Sequence, residues 1–173
     1  MTRQQLEHVI RAAGAITNTD DLVIIGSQAI LAPYPEAPAE LLRSIEADIF
    51  PKEHPELSIQ IDGAIGELSP FHKTFGYYAH GVDADTATLP PSWEERLIPI
   101  NNSNTRGVTG WCLETNDLAF SKLVASREKD LEYIRDLIRH RLIDAVVLEQ
   151  RITESHVPDI HKRNLRQKLQ RMR

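Results

Sequence analysis

The order in which strand-like and helical patterns follow one another limits the fold of this chain most strongly. Residues 22–25 form an apolar, β-branched run that Gly26 stops, which predicts a buried strand. Residues 45–49 alternate between apolar and polar side chains, which predicts a second strand with one buried face. From Asn116 onward apolar residues recur at helical spacing. Strands first and helices last favour an α+β domain over a repeated βαβ array.

Weaker patterns predict the remaining elements. In chain order they are an amphipathic helix over 3–14, a short helix capped by Ser27, a proline-containing loop over 32–40, a helix after Pro55, strands over 75–82, 97–100 and 110–113, and a basic helix after Pro158. We divide the single domain into an α+β core (1–115) and a helical C-terminal part packed on it (116–173). The last residues, 161–173, form a basic tail.

Composition sets the class of protein and its compartment. The 173 residues carry a net charge of −5 and 41% of them are apolar, enough for a core within one domain. Cys112 is the single cysteine, so no disulfide forms within the chain. The first residues lack the apolar segment of a secretory signal, and no apolar run approaches the roughly 20 residues of a membrane span. We therefore expect a cytoplasmic protein that contacts nucleic acid only through a local basic patch.

The Gly26-Ser27 dipeptide between the first strand and a short helix is the first candidate for a binding function. A turn of this kind exposes backbone N–H groups and a hydroxyl at a helix start, where phosphate oxygens are accepted. The alternative is a tight strand-to-helix turn whose serine only caps the helix.

Two carboxylates, Glu46 and Asp48, stand one residue apart in the second predicted strand. Alternation places both on one face of the strand, with Ile45, Ala47 and Ile49 on the other. Neighbouring carboxylates repel each other and stay ionised together only near a cation. Their hard oxygens suit Mg²⁺, which also binds substrate phosphates. The alternative is a solvated strand face without a ligand.

A third segment, residues 117–130, combines basic and acidic side chains in a helical pattern. If one helix spans it, Lys122 and Ser126 share a side, and Lys122 with Arg127 would neutralise a bound triphosphate. The alternative is a helix surface with ordinary salt bridges. The seven histidines lie scattered through the chain, so no histidine-based zinc site is predicted.

Taken in order, these segments resemble the nucleotidyltransferase (polymerase-beta-like) superfamily over residues 20–145. More narrowly, the chain resembles uncharacterised bacterial members related to the toxins of abortive-infection toxin–antitoxin systems. The resemblance implies a small mixed sheet flanked by helices. It further implies that Gly26 and Ser27 hold a triphosphate and that Glu46 and Asp48 bind Mg²⁺. In the later segment, Lys122 and Arg127 would contact phosphates and Asp130 would support the lysine helix.

The chain departs from this pattern in two ways. Eighteen residues separate Ser27 from Glu46, and the first carboxylate is a glutamate where aspartate is commoner. Catalytic members also carry a third carboxylate on a neighbouring strand that activates the attacking hydroxyl. The sequence leaves four candidates for that residue open, namely Asp62, Asp83, Asp85 and Glu95.

The function that the resemblance implies is Mg²⁺-dependent transfer of a nucleoside monophosphate from a nucleoside triphosphate to an acceptor hydroxyl, with release of pyrophosphate. An RNA or protein acceptor and an antitoxin-like protein partner belong to the toxin-like version of this hypothesis, to which the basic tail also points. The alternative is a binding or regulatory module that keeps the fold without catalysis. The glutamate at position 46 and the unassigned third carboxylate favour that alternative.

Overall fold

The computed structural model describes residues 1–172, and within them the chain folds as the predicted α+β protein around one mixed sheet of five strands. The order across the sheet is β3-β2-β1-β5-β4. The strands are β1 (Asp21–Ile24), β2 (Glu46–Pro51), β3 (Tyr78–Gly81), β4 (Ile98–Ile100) and β5 (Thr109–Cys112). Each lies within or beside a segment for which a strand is predicted from the sequence.

Strand direction decides which residues meet at one edge of the sheet. Strand β1 runs antiparallel to β2 and parallel to β5, and β2 runs parallel to β3. The ends of β1 and β5 therefore lie at the same edge as the beginnings of β2 and β3. That edge carries the Gly26-Ser27 turn, the two carboxylates of β2 and the segment that leads from β5 into the C-terminal helices.

The helices differ from their predicted bounds at several points. They are α1 (Arg3–Thr17), α2 (Ser58–Ile65), α3 (Pro70–Phe75), α4 (Thr115–Ala125), α5 (Glu128–Arg139), α6 (Ala145–Glu154) and α7 (Asp159–Met172). Helix α1 continues past Gly14 to Thr17 and is capped by Asn18, whose backbone is left-handed. Gly14 is needed there for space, because a Cβ would lie 2.6 Å from Cγ2 of Val108. The basic tail reaches Met172 as part of α7, and Arg173 lies outside the described residues.

Residues 117–130 do not form one helix, so the condition for Lys122 and Ser126 to share a helix side is not met. Ser126 takes a left-handed conformation (φ 53°) and ends α4, and α5 begins at Glu128 after a new start at Arg127. The break turns the chain so that α4 and α5 pack side by side. Lys122 and Arg127 therefore approach each other from two helices.

The apolar core is continuous from the sheet into the C-terminal helices. Leu6, Val9 and Ile10 of α1 are fully buried, as are Phe120 and Leu123 of α4. Helix α4 is buried on most sides because α5, α6 and α7 all pack against it. Burial of this kind is the main stabilising contribution to such a fold.

Ile45 is expected on the apolar face of the second strand with Ala47 and Ile49, but its side chain is exposed, and it lies just before β2 begins at Glu46. Within residues 1–172, no helix has the length and apolar character needed to cross a membrane.

Candidate active site

The two carboxylates of β2 project from one face at the edge of the sheet described above. Ala47 and Ile49 are fully buried on the opposite face, whereas Glu46 and Asp48 are partly exposed. The N–H of Ile25 donates to the carbonyl of Asp48 over 3.1 Å, which ties the carboxylate pair to the end of β1. The pair thus lies directly beside the Gly26-Ser27 turn.

The turn itself differs from the sequence-based prediction in its capping. A 3₁₀-helix runs from Ser27 to Leu31, but the cap position is Gly26, and the Ser27 hydroxyl does not cap the helix. Gly26 lies against Asp48, so that a Cβ on it would come within 2.0 Å of Oδ2. Its φ of −88° is open to any residue, so the glycine is required for space and not for backbone conformation.

A third side chain, His80 of β3, lies beside the carboxylates, and no sequence motif points to it. One carboxylate oxygen of each acid and a ring nitrogen of His80 all lie within 4.8 Å of one another. The parallel register pairs Asp48 with His80 and Glu46 with Tyr78. Nδ1 of His80 is 3.1 Å from Oδ1 of Asp48, and the Tyr78 hydroxyl donates to Oε2 of Glu46 over 2.7 Å.

The four candidates for a third carboxylate lie elsewhere. Among the described residues, none of them belongs to the cluster of metal-ligating groups or lines the cavity beside it; they are Asp62, Asp83, Asp85 and Glu95. On β3, the strand next to β2, the residue opposite Asp48 is His80, which carries an imidazole in place of a carboxylate.

Electrostatics make the carboxylate pair unfavourable without a cation. Burial raises the pKa of Asp48 above its ordinary value, the negative charge of Glu46 raises it further, and His80 and Lys122 partly oppose the shift. Burial and the bond to Glu46 also raise the pKa of Tyr78, so its phenol stays protonated as the donor at neutral pH. A divalent cation at this point would remove the repulsion between the acids.

Lys122 reaches the same region from α4. Its amine lies 3.1 Å from Oδ1 of Asp130 and 4.5 Å from the ring centroid of Tyr133, whose hydroxyl donates to the carbonyl of Ser27 over 2.8 Å. Burial lowers the pKa of Lys122, whereas the charge of Asp130 opposes that shift. Two successive contacts, both made by Tyr133, therefore join the lysine to the Gly-Ser turn.

Asp130 forms ion pairs with two basic side chains at once. Its side chain is only 1% exposed, and it accepts from Lys122 and from Nε of Arg127 at 2.6 Å. Burial alone would raise the pKa of Asp130, but the hydrogen bond from Arg127 and the charge of Lys122 lower it overall. Asp130 thus holds Lys122 in place, and its supporting role in a phosphate site stays a prediction, while the Arg127 side chain is 64% exposed.

All seven residues selected from the sequence line one open cavity of about 870 Å³, together with His80 and Tyr78. The seven are Gly26, Ser27, Glu46, Asp48, Lys122, Arg127 and Asp130. The cavity has the size of a small-molecule site and joins acidic groups on the sheet to basic groups on the helices. A polyanion bound through a metal ion would complement both halves.

Comparison with known families agrees with this geometry. The family model described as nucleotidyltransferase of unknown function (DUF6036) matches residues 4–172. No curated protein and no solved structure matches the chain. The nucleotidyltransferase assignment made from the order of the motifs is thereby confirmed, and the toxin-like branch stays a prediction. The chain belongs to the DUF6036 family of nucleotidyltransferases of unknown function.

Proposed function

We propose that the protein transfers a nucleoside monophosphate from a nucleoside triphosphate to an acceptor hydroxyl, with release of pyrophosphate and with a divalent metal ion at Glu46 and Asp48. The observation that supports this most directly is the single cavity that joins the carboxylate pair, the Gly26-Ser27 turn and Lys122. Phosphoryl chemistry of this class depends on positioning and on electrostatic stabilisation, which these groups supply.

The residues at the proposed metal centre fit a divalent cation. Gly26 leaves open the space beside Asp48 that a Cβ would fill, and the two acids offer oxygens from one strand face. Two carboxylates are a suitable protein contribution to Mg²⁺, the ion that the sequence predicts. When bound, the metal would neutralise phosphate charge and polarise the phosphorus under attack. His80 adds a nitrogen donor to this otherwise oxygen-based set.

Phosphate contacts come from the other half of the cavity. Gly26 and Ser27 line the cavity, where backbone N–H groups of such a turn would donate to phosphate oxygens, and Lys122 adds a largely buried positive charge. An ammonium has three donor hydrogens, so the bond to Asp130 leaves Lys122 able to donate to a phosphate as well. Arg127, held at Nε by Asp130, lies at the exposed rim, where a guanidinium contacts phosphate or a second substrate.

Among the acceptors that the resemblance implies, RNA has the stronger structural support. Helix α7 carries the basic tail, and Lys168 of this helix donates to the Ser126 hydroxyl over 2.7 Å. Ser126 immediately precedes Arg127, so the basic helix adjoins the rim of the cavity. A phosphate backbone would be attracted to this side of an otherwise acidic protein. We place the reaction in the cytoplasm and retain an antitoxin-like partner as a prediction.

The test is a titration of the protein with each of four nucleoside triphosphates, with and without Mg²⁺, followed by α-labelled nucleotide transfer to tRNA and to proteins. We expect metal-dependent binding and label transfer by the wild type. Asp48→Ala should lose transfer and keep its fold, because the carboxylate lies on the cavity side of β2 and contributes no core packing. Asp85→Ala is the matched control, since Asp85 is exposed and lies outside the cavity.

The two hypotheses give different results in this experiment. Binding without transfer to any acceptor would support the catalytically inactive module, which the imidazole in place of a third carboxylate favours. Absence of binding for every nucleotide would refute both hypotheses and leave the cavity without its proposed ligand.

A further inference from the structure

His80 is the residue of the cavity whose presence no sequence motif explains. It lies in β3 opposite Asp48 of β2, and parallel pairing places both side chains on the same face of the sheet. Its side chain is 49% exposed, and its Nδ1 is 3.1 Å from Oδ1 of Asp48. The imidazole is therefore accessible to a ligand and adjacent to the carboxylate pair.

The surroundings of His80 support a role in binding more than a role in folding. The described side chains that bring a metal-ligating atom to this point are Glu46, Asp48 and His80. Glu46 accepts from Tyr78 at 2.7 Å, which holds the first carboxylate in place as an outer partner does in metal sites. Three donors thus come from two hydrogen-bonded strands, which are more rigid supports than loops.

The chemistry of the three donors differs from that of an all-carboxylate set. Mg²⁺ takes oxygen ligands, demands near-ideal octahedral geometry and gives up water reluctantly. Imidazole nitrogen instead suits first-row transition-metal ions, for which affinity rises from Mn²⁺ toward Cu²⁺. A site with two carboxylates and one imidazole therefore discriminates between these two groups of ions.

We infer that His80 is the third protein ligand of the metal centre and that it shifts the preference of the centre from Mg²⁺ toward a transition-metal ion. This inference rests on the proposed function, because it concerns the same metal site. The competing explanation is that His80 only orients Asp48 through their hydrogen bond. The two roles separate in His80→Asn, because the asparagine amide can still donate to Asp48 but is a poor ligand for transition metals.

The experiment is a titration of the metal-free full-length protein with Co²⁺, followed by visible absorption and calorimetry, and then by competition with Mg²⁺. We expect the wild type to bind Co²⁺ in preference to Mg²⁺. Loss of a residue that only supports a ligand already lowers metal affinity by about 10–100-fold. Loss of a direct ligand in His80→Asn should therefore weaken Co²⁺ binding at least tenfold. His80→Asp restores an oxygen donor and should shift the preference back toward Mg²⁺. His54→Ala, at an exposed histidine outside the cavity, should bind like the wild type.

The outcomes distinguish this inference from the proposed function. If both His80 variants bind Co²⁺ and Mg²⁺ as the wild type does, His80 is not a ligand, although the metal-dependent function stands. If the wild type binds neither ion, with or without a nucleoside triphosphate, the proposed metal centre is refuted as well. Thermal unfolding of the metal-free variants checks that the half-exposed side chain was replaced without loss of the fold.

Discussion

Gly26→Ala provides a test of the site because its effect follows from one distance. The backbone at Gly26 allows alanine, since φ is −88°. The new Cβ would lie 2.0 Å from Oδ2 of Asp48 and 2.8 Å from its Cγ. The carboxylate must therefore move by about 1 Å, because contacts of this kind below about 3 Å are strongly repulsive.

A displacement of this size is large for a metal ligand. Ligand distances at a metal site vary by only about 0.2 Å, so Asp48 would cease to bind in its present place. We expect metal-dependent nucleotide binding to fall by about a hundredfold or more, while overpacking costs about 1–3 kcal/mol of unfolding free energy. Gly63→Ala is the control, since its Cβ meets nothing within 4 Å in α2 and should stabilise by about 0.5–1 kcal/mol.

The assay combines calorimetric nucleotide titration with denaturant unfolding of the single variants and of Gly26→Ala/Asp48→Ala. In the double variant the clashing carboxylate is absent, so the alanine at position 26 should cost much less stability than it does alone. If Gly26→Ala binds metal and nucleotide as the wild type does, the close packing of Gly26 on Asp48 is not a requirement of the site.

Three further predictions concern groups around the cavity and behind it. Tyr78→Phe removes the hydrogen bond to Glu46 and should lower metal affinity by about 10–100-fold in a metal titration. The unfolding free energy should change by only about 1 kcal/mol. An unchanged metal affinity would contradict this prediction. Asp117 is fully buried and forms ion pairs with both Arg96 and Arg151. Asp117→Ala should therefore lower the unfolding free energy measured in urea by about 3–5 kcal/mol. A loss below about 1 kcal/mol would show that these ion pairs do not stabilise the fold. Because the pKa of Asp130 is lowered in the fold, its stabilising contribution is complete above the ordinary value near 3.8 and is lost as the pH falls below it. Asp130→Asn should therefore show a shallower loss of stability in acid than the wild type, and parallel acid profiles would count against it.

Local patterns are sufficient to predict part of the candidate site. Strand alternation places Glu46 and Asp48 on one face whatever the strand pairs with, and a glycine that stops an apolar run identifies the turn at Gly26. The order of the motifs points to Lys122, which lines the same cavity. The α+β class followed for the same reason, because it depends on which periodicity occurs where along the chain.

The rest of the candidate site depends on tertiary pairing that a single sequence does not contain. His80 and Tyr78 meet the carboxylates only because β3 pairs in parallel with β2 after a crossover through α2 and α3, and its register is set by packing. Asp117 is buried because Arg96 and Arg151 form ion pairs with it, and neither arginine is close to it in the sequence. The break at Ser126 has no glycine or proline to mark it, since a serine there adopts the left-handed conformation.

The parallel pairing of β1 with β5 joins two segments that lie far apart in the chain, in the register of Asp21 with Thr109. Closing so long a loop is entropically costly and slow, whereas β1 meets β2 and β2 meets β3 over shorter separations. During synthesis, β1, β2 and β3 can therefore pair and form the acidic half of the cavity first. Lys122 follows β5 in the chain and is made only later. The proposed nucleotide transfer would accordingly begin only once the last third of the chain has been synthesised and docked.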